Sequence, residues 1–452
     1  MPAIDFAQAG QEGIKILQDV VRFNTVNPPG DELPAANYYK KLFEAAGLSV
    51  EVLQPADPSA PPGAGTRANL IVRLKGKGSG GPLILLSHLD VVGVEREKWK
   101  YDPFGAAIDG GFLYGRGAID DKGMGALFAE IMLLLARNKT SLKRDILFVT
   151  CADEEAGGKL GISWLIQNHR SKIEAEAAIN EGGRVNLKDG KVEYVAIQNA
   201  EKVPYHVHLK VKGTPGHASI PLPDNAIYRL SNALAKLAEY QTPLKLNDTT
   251  RAFFLGVAEL EPGSPTGYFA KNVDHPFIGP FAREQLTQHP YFNSILRNSI
   301  APTILKSGFR NNVLPSEAEV TLNCRLLPGE KIESFVSELK RVIAEDSVEI
   351  TYQQGKALGK EPSPASHAVY QALANSAVKT WPGTRVIPFM STGATDSAEL
   401  RAVGIHAYGI LPFPLTEEDE ARMHGHDERL AVKSFTEGLE FIYRAVEEIA
   451  FA

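Results

Sequence analysis

Cysteine is nearly absent from this sequence: a chain of 452 residues carries only Cys151 and Cys324. Two thiols cannot staple a disulfide scaffold, and they fit a reducing compartment. They cannot build a cysteine-based zinc site either, so any metal has to rest on histidines and carboxylates. No apolar run reaches the length of a membrane span, so no membrane partner is expected. No lysine or arginine run occurs and the net charge is −6; both weigh against a protein that works by neutralising nucleic-acid phosphates. The first residues lack a basic stretch followed by an apolar one, so the cytoplasm is the expected location. No Gly-x-Ser-x-Gly elbow follows a strand, which sets aside a serine hydrolase of that kind.

What is present is a globular composition, with 44% hydrophobic and 23% charged residues, and enough chain for two or three domains. Apolar runs at Leu70–Leu74, Leu83–Leu86, Ile146–Thr150 and Ala177–Ile179 read as strands. Helical patterns at Met124–Ala136 and Leu160–Asn168 separate some of them. Such alternation predicts an α/β layer with a mixed, mostly parallel sheet. From residue 203 the pattern changes to alternating strands with two amphipathic helices, and the α/β pattern returns at Ala365. The expected architecture is a large metal-binding domain, 1–202 and 356–452, interrupted by a smaller α+β domain at 203–355. Residues 241–310 show no clear period and read as an elaboration of the small domain.

Polar clusters follow the strands. Ser87-His88-Leu89-Asp90 comes first; His88 could be a satisfied core imidazole, but Asp90 can hold its other nitrogen. Gly115-Arg116-Gly117-Ala118-Ile119-Asp120-Asp121-Lys122-Gly123 lacks the Walker spacing and its Lys-Ser/Thr ending; its two acids could simply cap a helix. Asp153-Glu154-Glu155 places three acids together, costly to bury unless a cation offsets them; otherwise it is a solvated loop. Asn180-Glu181-Gly182-Gly183 and His424-Gly425-His426-Asp427-Glu428 complete the set. Separately each signal is weak. Together they supply histidines and carboxylates at the ends of neighbouring elements. That set suits two divalent ions, with zinc preferred and manganese or cobalt acceptable.

These motifs, in this order, resemble the M20 metallopeptidases and deacylases, among them aminoacylase-1, carnosinase, acetylornithine deacetylase, succinyl-diaminopimelate desuccinylase and bacterial glutamate carboxypeptidase. The resemblance covers nearly the whole chain. It implies His88, Asp120, Glu155, Glu181 and His424 as metal ligands, with Asp120 bridging both ions. It implies Glu154 as general base and Asp90 as the residue orienting His88. His217, within Gly213-Thr214-Pro215-Gly216-His217-Ala218-Ser219, would stabilise the tetrahedral intermediate; the rival reading is a hairpin or helix-start residue. Asn312, Arg325 and Gly393 match substrate-binding positions, although Arg325 could be an ordinary surface residue of a strand. The implied reaction is hydrolysis of an amide beside a free carboxylate, read first as peptidase or carboxypeptidase action. The alternative is an N-acyl-amino-acid deacylase, and a distant one a non-catalytic peptide-binding protein, which the full ligand set opposes. The small domain is expected to act as a lid, and a homodimer is the expected assembly.

Overall fold

The computed structural model describes residues 4–56, 65–78, 80–353 and 361–451. Residues 1–3 and the expected domain boundary after residue 355 lie outside the described residues. Two compact units are present, 1–199 with 363–389 and 395–452, and 200–362 with 390–394.

The first unit is built on a mixed sheet. Its order is Val50–Leu53, Asn69–Leu74, Arg144–Cys151, Gly80–His88, Ala177–Asn180, His406–Gly409, Lys191–Glu201, Arg184–Lys188, Pro414–Leu415, with Arg385–Ser391 pairing off that path. The four central strands, Arg144–Cys151 to His406–Gly409, are parallel. Antiparallel pairings flank them. A parallel centre requires apolar residues on both faces, and the strand pattern supplies them. Leu83, Leu85, Ile146 and Phe148 point into one core, shared with the helices Phe6–Val21, Lys122–Arg137 and Val432–Ala450. Ile84, Leu86, Leu147 and Val149 point into another, shared with Ile162, Leu165 and Leu400. Alternation along each strand thus divides one apolar run between two layers. The fold is the expected α/β domain with a smaller α+β insertion.

The second unit carries an antiparallel sheet in the order Ser299–Ser307, Glu317–Leu326, Val203–Lys212, Val348–Tyr352. Every second residue of Glu317–Leu326 is buried, from Ala318 to Leu326. Those side chains pack under Leu230 and Leu237 of helix Ala226–Glu239 and under Phe335 and Leu339 of helix Ile332–Ile343. The stretch without a clear period, 241–310, is more ordered than expected. It folds into helices Asp248–Leu260, Pro265–Lys271, Gly279–Leu286 and Pro290–Leu296, then strand Ser299–Ser307. Three of these helices have seven or eight residues, too short for a periodic pattern to emerge. Their prolines stand in the first turn, where a missing N–H costs nothing.

Lys202 anchors this segment from beneath. It is fully buried, and its ammonium donates to Ser294 O (2.8 Å), Arg297 O (2.9 Å) and Ser299 Oγ (3.1 Å). Burial, with the Arg325 charge adding to it, pushes its pKa down to about 7 from 10.5. Between those values the unfolded chain binds the extra proton, so the contribution of Lys202 to stability rises with pH across that window. Urea unfolding of wild type and Lys202→Met at a series of pH values should show a flatter rise in the variant. Identical slopes would contradict this.

Candidate active site

Three adjacent parallel strands end at one edge of the first unit's sheet, and each delivers acid or imidazole there. His88 is the last residue of Gly80–His88. Glu154 and Glu155 form a short 3-10 turn just after Arg144–Cys151. Glu181 follows Ala177–Asn180 directly. The carboxyl edge of a parallel sheet is where such folds bind ligands, because the loops there converge. The turn after Glu181 demands glycine: Gly182 has φ +134°, and a Cβ on Gly183 would stand 2.0 Å from Ala196 O.

Asp120 enters from the loop before helix Lys122–Arg137, with a cis Asp120–Asp121 peptide. His424 comes from the loop before the C-terminal helix and holds φ +57°. The Asp120 carboxylate lies between two imidazoles. Its Oδ1 is 3.0 Å from His88 Nε2, and its Oδ2 is 2.9 Å from His424 Nε2. Glu181 Oε1 stands 3.8 Å from His88 Nε2, and Glu155 Oε1 stands 3.3 Å from His424 Nε2. Asp120 therefore stands between two pairs, His88 with Glu181 and His424 with Glu155, and ligand-type atoms of His88, Asp120 and Glu155 also lie within 4.8 Å of one another. Glu154 closes the cluster, with ligand-type atoms of His88, Glu154 and Glu181 all within 4.8 Å of one another.

The charges suit a divalent cation. Burial pushes the Glu154 and Glu181 carboxyls well above the usual range, and neighbouring carboxylates, Asp120 among them, push the same way. Hydrogen bonds with Asp120 and Glu155 raise the His424 imidazole to about 10. Burial opposes protonation of His88, but Asp120 and Asp90 outweigh it and raise it too. The protein alone thus balances crowded acids by protonating both imidazoles and some of the acids themselves. Divalent cations would take over that compensation and leave the imidazoles neutral, as ligands must be. A buried oxygen with no hydrogen-bond donor, Asp121 Oδ1, agrees with this.

Behind the site, two networks hold the loops. In one, the Glu428 carboxylate accepts from Arg116 Nη1 at 2.6 Å and from the backbone N–H groups of Gly117, Ile119 and Asp120 at 3.1, 2.7 and 3.2 Å. Both side chains are buried. In the other, Asp90 accepts from Asn27 Nδ2 (2.8 Å) and from the backbone N–H groups of Glu154 and Glu155 (both 3.1 Å). Its carbonyl oxygen, at 2.9 Å, is nearer to His88 Nδ1 than its carboxylate, at 3.6 Å. An Nδ1–H donated to that carbonyl leaves Nε2 with its lone pair facing Asp120. Asp90 therefore touches His88 mainly through its main chain, while its side chain fixes the turn bearing Glu154. Asp153, at φ +70°, accepts from Asn27 and from Arg67, which is itself paired with buried Glu32.

Of the residues singled out in the sequence, His88, Asp90, Asp120, Glu154, Glu155, Glu181 and His424 meet in this one site. His217, Asn312, Arg325 and Gly393 belong to the second unit. There His217 is exposed, pairs with Val313 and bonds Ser219 Oγ through Nδ1 at 2.7 Å, with Asn312 O accepting from Ala218 N nearby. Arg325 is partly buried and bonds Asn323 Oδ1 at 3.0 Å; Gly393 N donates to Ser391 Oγ at 3.0 Å. Residue types had given no role to Arg116, Glu428, Asn27 or the Arg67–Glu32 pair. Arg116 and Glu428 stand inside the quoted motifs, but Asn27 and Arg67 carry no local signal.

Comparison with known proteins agrees with this geometry. The family model described as peptidase family M20/M25/M40 matches residues 84–448. The N-fatty-acyl-amino acid synthase/hydrolase of Mus musculus is 28% identical over 378 residues, 81% of this chain and 74% of that protein. Aminoacylase-1B of Rattus norvegicus is 25% identical over 97% of this chain and 95% of its own. Among solved structures, the M20 family metallo-carboxypeptidase of Sulfolobus solfataricus superposes with a TM-score of 0.70 at 18% identity, covering 97% of this chain and 99% of that one. Among the described residues no helix is long and apolar enough to cross a membrane. The match across most of the chain places it in the M20/M25/M40 family of metal-dependent peptidases and amidohydrolases.

Proposed function

We propose that this chain hydrolyses the amide bond of N-acyl amino acids at a site holding two divalent ions. The observation that carries the two-metal reading is the Asp120 carboxylate set between His88 and His424, one oxygen toward each. His88 and Glu181 would hold one ion and His424 and Glu155 the other, with Asp120 shared. Zinc suits this mixed nitrogen and oxygen set, and manganese or cobalt would also fit. Such ions, when bound, acidify water and polarise a carbonyl. Glu154 takes the proton from the attacking water and returns it to the leaving nitrogen, as general base and then general acid. Asp90 positions both Glu154, through the backbone of its turn, and His88, through its carbonyl. His217 would donate to the oxyanion. Arg325 would read the substrate carboxylate as a forked donor, with Asn312 and Gly393 as further substrate-binding residues.

The acyl preference rests on relatives whose names state N-fatty-acyl-amino acid hydrolysis and aminoacylase activity. It reverses the order of the two readings drawn from sequence, in which peptides came first. The peptide reading keeps support in the probable carboxypeptidases S-like 2 and S-like 1 of Dictyostelium discoideum, 29% and 26% identical over 81% of this chain. A panel of N-acyl amino acids and dipeptides, assayed with metal analysis and with and without chelator, separates them. The expected result is bound metal, chelator-sensitive turnover and preference for acyl substrates. Cleavage of dipeptides alone would transfer the assignment to a peptidase; absence of metal and of any chelator effect would end the hydrolase reading.

A further inference from the structure

The second unit carries an open cleft of about 310 Å³, at the lower end of the size range of small-molecule pockets. Leu234, Leu237, Ala238 and Ile300 give it an apolar wall, and Asn293 and Arg297 a polar one. Arg297 is unusual. It is 8% exposed, yet its one side-chain hydrogen bond among the described residues runs from Nη1 to Gln241 Oε1, at 2.5 Å. Its Nε has no acceptor, and neither has Asn293 Oδ1 a donor. Glu284 acts on the guanidinium only at a distance, and burial disfavours its charge. Lys202 Nζ donates to the Arg297 carbonyl oxygen.

A guanidinium buried without a counter-charge is expensive, and this one stands beside a space large enough for a ligand. We propose that the cleft binds a small aliphatic carboxylate, with its anion on Arg297 and its chain against Leu234, Leu237 and Ile300. The carboxylate would supply the missing charge through a charge-assisted bond with the guanidinium. The apolar wall selects a hydrocarbon chain over a purely polar anion. This site is built within the inserted unit alone and does not depend on the acylase reading.

Calorimetric titration with hexanoate, and with hexanamide as the uncharged control, tests it. Wild type should bind hexanoate and not hexanamide. Arg297→Met, which removes the charge, should weaken hexanoate roughly tenfold or more, the worth of a charge-assisted bond. Ala238→Trp acts independently: Ala238 is exposed on its helix while lining the cleft, so the indole blocks the space without disturbing the core, and it should give a similar loss. Hexanoate held elsewhere, for instance at the metal cluster, would be unaffected by either substitution. Undiminished binding in either variant, equal binding of hexanamide, or no binding by wild type at millimolar hexanoate would overturn the proposal.

Discussion

Glu154→Gln should keep its metal and lose about 10²- to 10⁴-fold in kcat, the usual worth of a general acid–base group. Glutamine preserves the shape of the side chain and its place on the turn, whose backbone N–H groups remain bonded to Asp90. It removes only the ability to carry a proton. Burial lifts the Glu154 carboxyl above the ordinary range, the direction a general base needs. Glu154 is not among the proposed ligands, although its carboxylate lies within 4.8 Å of ligand-type atoms of His88 and Glu181, and glutamine keeps an oxygen at that place. Metal content by elemental analysis should therefore match wild type while single-turnover rates fall. A variant with full turnover, or one that loses its metal in parallel with its activity, would remove Glu154 from the role of base.

Arg116→Met should lower the free energy of unfolding by about 3 kcal/mol or more, because it leaves the buried Glu428 carboxylate without its charge partner. The pair is 2% and 0% exposed at its side chains, so solvent cannot compensate. An exposed ion pair would cost under about 1 kcal/mol, which makes the size of the effect diagnostic. The loss should extend to the site. Glu428 also gathers the N–H groups of Gly117, Ile119 and Asp120, so a displaced carboxylate frees the loop that aims Asp120 between the two histidines. Guanidinium unfolding measures the first effect, and metal affinity by competition with a chelator measures the second. Glu428→Gln, which keeps an acceptor for the backbone donors, should loosen metal less than Arg116→Met. Unchanged metal affinity in Arg116→Met would show that the loop is held by other contacts.

The sequence by itself determined the α/β layering, since apolar runs such as Leu83–Leu86 and Ile146–Thr150 must be covered on both faces and only alternating helices can do so. It also pointed to where the candidate site lies. His88, Glu154, Glu155 and Glu181 each follow the end of an apolar run, and strands that run parallel bring such ends to one edge. Tertiary structure alone decided the rest. That Asp120 and His424, 304 residues apart, share a 2.9 Å contact follows from Glu428 binding the Asp120 loop. That Asp90 serves the Glu154 turn more than the His88 ring follows from where two loops happen to meet. The short helices of 241–310 were hidden because a helix of seven or eight residues is stabilised by what it packs against. The buried charges of Lys202 and Arg297 were hidden for the same reason, since a lysine or arginine in a sequence reads as solvated until a fold encloses it.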